Sequence, residues 1–274
     1  QRQMCIRDRP VTFRAAGTSL SGQSISDSIL IVAGKNWEKY SISEDFERIT
    51  LQPGIIGARV NEILKPHGRK FAPDPASVKS AMVGGIVMNN ASGMNCGTHA
   101  NSDKELLSAK IVLADGTRLN TGDPESRMTF EKNHTPFLNK IIEIRDEIRN
   151  DNELSDRIRK KYSIKNVTGL NLLPFVIYDD PFDIIAHLMV GSEGTLAFLS
   201  EVTMKTEHDY PYSASAMLYF SNIKDACRAV VAMKPGPVFS AELLDKKSLA
   251  SVNDTTGTGL TAVLTETKAD TPEE

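Results

Sequence analysis

Blocks of apolar residues along this chain switch repeatedly between a two-residue and a three-to-four-residue period, which predicts strands and helices in mixed order. Pro10 to Phe13 reads as a short strand entering the loop Arg14-Ala15-Ala16-Gly17-Thr18-Ser19-Leu20-Ser21-Gly22. Ser28 to Val32 reads as a buried strand and Ile49 to Leu51 as another. Gly54 precedes an amphipathic helix with Ile56, Val60, Ile63 and Leu64 on one face, stopped by Pro66 and Gly68. Pro73-Asp74-Pro75-Ala76-Ser77 is a proline-bounded turn, and the small-residue stretch Gly84 to Gly93 follows it.

Ala109–Leu113 and Thr117–Thr121 flank Asp115-Gly116, a strong hairpin signal. Phe137, Leu138, Ile141, Ile142 and Ile148 share a face of the next helix. Asp180-Pro181 suits the start of a helix through Ile184, Ile185 and Leu188, ended by Gly191-Ser192-Glu193-Gly194. Leu196, Phe198, Val202 and Met204 are expected to alternate as a half-buried strand. Composition turns polar near Thr206–Pro211, where a domain boundary is expected. Beyond it come a strand at Ala214–Phe220, a helix at Asn222–Met233 with Ala226, Val230 and Met233 inward, and a strand at Gly259–Glu266.

The net charge of −3 argues against a nucleic-acid surface. No stretch approaches the roughly 18 consecutive apolar residues of a membrane span, and none reads as a secretory leader. Cys5, Cys96 and Cys227 are scattered, with no CxxC pair. A disulfide scaffold or thiolate metal site is therefore not expected, and a reducing cytoplasm is. His67, His99, His134, His187 and His208 form no HxxxH or HExxH spacing, so no metal site is expected. The start at Gln1-Arg2-Gln3, the lack of periodicity over Met4–Arg9 and the end soon after an apolar run give the expectation of a fragment.

Glycine-rich segments carry the candidate chemistry. Glycine lets backbone N–H groups approach a phosphate and adopt positive φ. Gly17 to Gly22 has the spacing of a P-loop, but Gln23-Ser24 stands where Lys-Ser/Thr is required. No GxGxxG opens a helix after a strand, so a Rossmann fold has no support. Taken singly, each cluster is equally well read as a tight turn.

In their order, Arg14 to Gly22, Pro73 to Ser77, Gly84-Gly85 to Asn89-Asn90-Ala91-Ser92-Gly93 and Val190-Gly191-Ser192-Glu193-Gly194-Thr195-Leu196 are similar to a known domain. The chain resembles the FAD-binding domain of the p-cresol methylhydroxylase and vanillyl-alcohol oxidase superfamily. Lys165-Asn166-Val167-Thr168-Gly169-Leu170 and Glu242-Leu243-Leu244-Asp245 resemble its D-lactate, glycolate and D-2-hydroxyglutarate dehydrogenase branch. The resemblance implies an α+β fold. Residues 1–9 stay unassigned, and 10–206 form an N-terminally truncated FAD-binding domain of two α+β subdomains. Residues 207–274 begin a truncated α+β substrate (cap) domain of the FAD-linked oxidase type.

The resemblance also implies roles. The Ala16, Gly17, Thr18 and Ser19 turn after Arg14 would give backbone N–H groups to the FAD pyrophosphate, with Gly22 allowing close approach. Pro73, Asp74 and Ser77, with Gly84, Gly85, Asn90 and Gly93, would line the flavin and ribityl side. Gly191, Glu193, Gly194, Thr195 and Val202 would close over the adenine end. Relatives usually read Arg-Gly-Gly-Gly where Ala15 and Ala16 stand here, which leaves the backbone path there open. Some relatives attach FAD through a histidine of this loop; none lies between Arg14 and Gly22, so noncovalent FAD is implied.

The implied reaction is oxidation of a 2-hydroxy acid to a 2-oxo acid. An iron–sulfur domain, quinone or cytochrome would accept the electrons, in the cytoplasm or at the periphery of the inner membrane. The branch's His-x-Gly-x-Gly-x-x-His segment is absent from these residues, so no catalytic base is assigned and this chain alone is expected to be inactive. Lys165 is a candidate carboxylate clamp, set against a solvated surface lysine. Cys96 reads as a buried thiol, His67 as a helix cap, His187 as packing, and His99 as the one histidine near the flavin motifs. Two other readings are another FAD chemistry on the same domain (alcohol or sugar oxidation, reduction of a peptidoglycan precursor) and a flavin-free binding domain.

Overall fold

Alternating apolar residues in β4 (Arg48–Leu51), β6 (Leu106–Val112) and β8 (Phe198–Lys205) build the centre of a five-stranded antiparallel sheet. Its order is β3-β4-β8-β6-β7, with β3 (Tyr40–Ile42) and β7 (Arg118–Asn120) at the edges. The structure is a computed structural model that describes residues 10–93, 96–97, 99–252 and 260–273. The N-terminal segment 1–9 and the expected strand start at Gly259 lie outside the described residues. By contacts the chain divides into two units, Gln1–Glu207 and His208–Glu274.

In the first unit, β1 (Val11–Arg14) and β2 (Ile29–Val32) form a separate parallel pair. The strand read as buried is not: Leu30, Ile31 and Val32 are exposed, because β1 is its only described strand partner. α1 (Gly57–Leu64) buries Val60 and Leu64 as its period requires, and Gly68 stops it in a left-handed conformation. Ile56 is a correction: it is the N-cap residue and half-exposed, not part of the buried face.

α2 (Val83–Met88) is a helix where only a small-residue stretch was legible. α3 (Ser102–Glu105) leads into β6, and α4 (Pro124–Asn150) follows the hairpin. α4 is kinked at His134, two residues before Pro136, whose ring and missing N–H break the helical ladder. Leu138, Ile141 and Ile148 are buried as expected, but Phe137 is turned outward. α5 (Asn152–Lys161), α6 (Leu173–Ile177) and α7 (Pro181–Leu188) complete the layer. Asp180 caps α7 by accepting from the Phe182 N–H at 2.8 Å.

β8 departs from simple alternation. Lys110 pairs with Glu201 but Ile111 with Leu199, so one residue bulges from β8. The bulge changes the phase of the strand. Leu199, Val202 and Met204 are therefore buried, Phe198 is only partly so, and Leu196 lies exposed before the strand.

Two-residue strands β5 (Arg69–Lys70) and β9 (Glu207–His208) follow α1 and β8 in the chain. The second unit is an antiparallel sheet of β10 (Tyr212–Phe220), β12 (Thr261–Ala269) and β11 (Val238–Leu244), with β12 central. α8 (Ile223–Met233) and α9 (Lys246–Ser251) complete it, burying Ala226 and Leu249. Both units mix helix and strand, so the fold class is α+β. Among the described residues, no helix is long and apolar enough to cross a membrane.

Candidate functional site

A cavity of about 450 Å³ opens in the first unit, between the loop after β1, the N-terminal part of α2 and the turn before β8. Tertiary structure holds the loop at both ends. Ala33 N–H donates to the Arg14 carbonyl at 2.8 Å, and Ile25 N–H to the Gly22 carbonyl at 3.1 Å. Between them, the backbone N–H groups of Ala16, Gly17, Thr18 and Ser19 donate to no acceptor among the described residues. All four residues line the cavity. Gly17 is left-handed (φ +70°), and the Arg14 guanidinium lies over it so closely that a Cβ there would be 2.5 Å from Nε. The left-handed backbone favours glycine there, and any side chain would also have to displace the guanidinium. That guanidinium also has no acidic partner among the described residues. A cation beside a row of free amides is a ready anion cradle.

The opposite wall is apolar. Phe13 and Phe198 pack with their rings tilted by 32° and centroids 4.4 Å apart, and Trp37, behind the wall, meets Phe198 edge-on at 5.1 Å. Pro53, Ile86, Ala197 and Leu199 extend that surface. α2 is held in place by hydrogen bonds from Val83 N–H to the Ile55 carbonyl and Gly84 N–H to the Pro53 carbonyl. At its other end Met88 O accepts from Glu193 N–H at 2.8 Å, which ties the helix to the turn before β8.

Of the residues singled out from sequence, Arg14, Ala16, Gly17, Thr18, Ser19, Ser77, Gly84, Gly85, Glu193 and Gly194 line this cavity. The others stand away from its wall. Gly22 closes the first loop behind it. Pro73, Asp74 and Gly93 lie where two loops touch. Asn90 is buried with φ +47° and an unpartnered Oδ1, and Gly191 packs against the Gly169 carbonyl. Thr195 hydrogen-bonds within its own turn. Val202 is in the sheet core, paired with Leu51 and Ala109. Sequence reasoning missed the aromatic wall, since the bulge in β8 decides which way Phe198 and Leu199 point.

Ser92 lines the cavity and joins a polar cluster beneath it. Its hydroxyl bonds the Asn101 carboxamide oxygen and lies 2.9 Å from Cys96 Sγ, which also accepts from Gly93 N–H at 3.1 Å. Cys96 is fully buried there. The exposed Lys165 donates to the Gly93 carbonyl, close in sequence to Val167 of the cavity wall. His67 stacks on Phe46 at 4.0 Å, and His187 is buried against Tyr178. His99 is exposed and is not part of the wall. Among the described residues no cluster of three or more His, Cys, Asp or Glu could hold a metal.

Residues 2–122 match the family model described as an FAD binding domain. The D-2-hydroxyglutarate dehydrogenase of Haemophilus influenzae is 26% identical over 253 residues, which is 87% of this chain and 24% of that protein. The glycolate oxidase subunit GlcD of Escherichia coli is 26% identical over 257 residues, 92% of this chain and 41% of its own length. The D-lactate dehydrogenase of Archaeoglobus fulgidus is 24% identical, over 88% of this chain and 43% of that protein. The chain thus spans less than half the length of each of these relatives. Among solved structures, an alkyldihydroxyacetonephosphate synthase shares the fold, with a TM-score of 0.59 at 14% identity over 94% of this chain and 43% of that one.

Proposed function

Because the chain carries an FAD-binding domain of the p-cresol methylhydroxylase type, we propose that it holds the flavin of a dehydrogenase that oxidises a D-2-hydroxy acid to the 2-oxo acid. D-Lactate, glycolate and D-2-hydroxyglutarate are the substrates to test. The observation that carries the cofactor reading is the row of unpartnered amides at Ala16–Ser19 beside the Arg14 guanidinium.

The residues present fit FAD. Phosphate oxygens need donors and positive charge, which the first loop supplies without compensation from any described carboxylate. A flat ring system needs an apolar slot, which Phe13, Ile86 and Phe198 supply. Bound FAD would supply the hydride-accepting chemistry at N5. This chain's part is to hold and orient. The first loop would anchor the diphosphate, α2 would back the ring system, and the packed walls would keep water from it.

Attachment is noncovalent in this reading. The loop from Arg14 to Gly22 has no histidine, and Cys96 is engaged in its own buried cluster. The electrons would pass to an iron–sulfur domain, quinone or cytochrome, in the cytoplasm or at the periphery of the inner membrane.

The test has two parts. Titration of residues 1–274 with FAD should quench flavin fluorescence, and acid precipitation should leave all flavin in the supernatant; yellow colour in the pellet would overturn noncovalent binding. The full-length protein should reduce a dye with one of the three hydroxy acids. Turnover of an alcohol or sugar alone would reject the substrate class.

A further inference from the structure

The end of α5 and the loop after it gather Arg157, Arg159, Lys160, Lys161 and Lys165, while no acidic residue stands between Asp156 and Asp179. The chain as a whole carries a net charge of −3, so this stretch is opposite in sign to the rest. All five cations are exposed, and none forms an ion pair among the described residues. Cations in a last helical turn complement the helix dipole, which accounts for one or two of them and not for Lys165 beyond it. An α-helix turns by about 100° per residue. With Ile158 buried against the core, the four cations of α5 therefore cover the rest of its circumference.

Apolar side chains stand among these charges. Ile164 is 68% exposed, and Leu170 and Leu172 of the same loop are exposed as well. The residues around them are anchored. Tyr162 packs on the core and donates its hydroxyl to the Leu170 carbonyl at 3.2 Å. Asn171 is buried, with Oδ1 accepting from Leu173 N–H at 2.9 Å. The fold thus fixes the loop while leaving its aliphatic side chains in the open.

A surface that only needs solvation has no use for an exposed isoleucine, and a soluble polyanion would be met by the charges alone. Cations interleaved with apolar side chains match the bilayer interface, where basic groups meet anionic headgroups and apolar tips enter the acyl boundary. We propose that residues 157–172 dock this protein on an anionic lipid bilayer, with Arg159, Lys160 and Lys161 on the headgroups and Ile164 inserted. The proposal rests on the peripheral-membrane part of the reading above and is independent of the flavin.

The test is sedimentation of the full-length protein with vesicles of phosphatidylglycerol and phosphatidylcholine in equal parts, and of phosphatidylcholine alone. Binding should occur to the mixed vesicles and weaken as salt is added. The triple variant Arg159→Gln/Lys160→Gln/Lys161→Gln should lose about fivefold in partitioning per charge, on the order of a hundredfold in all. The charge-keeping variant Arg159→Lys/Lys160→Arg/Lys161→Arg should bind like wild type. Ile164→Trp should shift its emission to the blue on the mixed vesicles. Absence of wild-type binding, equal binding to phosphatidylcholine alone, or wild-type partitioning by the triple variant would overturn the proposal. So would loss of binding in the charge-keeping variant. Equal retention by polyglutamate or duplex DNA, with no blue shift in Ile164→Trp, would replace the bilayer with a soluble polyanion. Vesicle binding by a protein that takes up no FAD would overturn the flavin reading alone.

Discussion

Gly93 and Asp74 meet backbone to backbone: a Cβ on Gly93 would stand 1.4 Å from the Asp74 carbonyl oxygen and 2.4 Å from its carbonyl carbon. Two motifs far apart in sequence are thereby joined behind the cavity. The Gly93 peptide cannot rotate away cheaply, since its N–H is bonded to Cys96 Sγ and its carbonyl to Lys165. Gly93→Ala should therefore force the two loops apart, costing about 3 kcal/mol and weakening FAD binding. Thermal unfolding and flavin titration check this; a variant that melts and binds like wild type would refute the contact.

The Arg14 guanidinium gives a prediction about salt. Arg14→Gln should raise the FAD dissociation constant about tenfold and make it less dependent on ionic strength, because a charge–charge attraction has been removed. Riboflavin, which has no phosphate, should bind both proteins alike. Equal salt slopes for the two proteins would place Arg14 outside the phosphate site.

Glu105 is buried at the end of α3, just before β6, with Oε2 unpartnered among the described residues. Burial first, then the negative charge of Glu207, push its carboxyl up to about 7, against the opposing charge of Lys205. The unfolded chain holds it at the ordinary 4.5. Its contribution to stability is therefore fully present below pH 4.5 and is lost as pH rises through 7. Glu105→Gln should flatten that dependence and be more stable than wild type at pH 8, by on the order of 2 kcal/mol. Denaturant unfolding at pH 5 and pH 8 measures it, and parallel curves for the two proteins would reject the assignment.

His187 Nδ1–H donates to the Asp183 carbonyl at 2.8 Å, which leaves Nε2 to accept from the Tyr178 hydroxyl at 3.0 Å. Burial holds the imidazole below its ordinary 6.5. The stability it contributes is present above that value and is lost as pH falls toward the folded one. Tyr178→Phe strands a buried acceptor and should cost about 1–2 kcal/mol at pH 8. A variant with unchanged unfolding at pH 8 would show that the bond contributes nothing.

Local sequence determined a good deal of this protein. The periods of β4 and α1, the Asp115-Gly116 hairpin and the Asp180-Pro181 helix start are short-range signals, set by side-chain alternation, turn chemistry and capping over a few residues. The first loop was legible too, because a run of small residues after a strand restricts what the backbone can do. Other features were decided only in the tertiary structure. α2 contains two adjacent glycines and would not be helical by propensity. It forms because Val83, Ile86 and Val87 are buried and Pro53 and Ile55 accept its first N–H groups. The bulge in β8, set by pairing with β6, sends Val202 to the core and Phe198 to the cavity. Glu193 owes its left-handed backbone (φ +55°) to Met88, far away in the chain. Each of these rests on a partner remote in sequence, and a local pattern carries no information about the contact that overrides it.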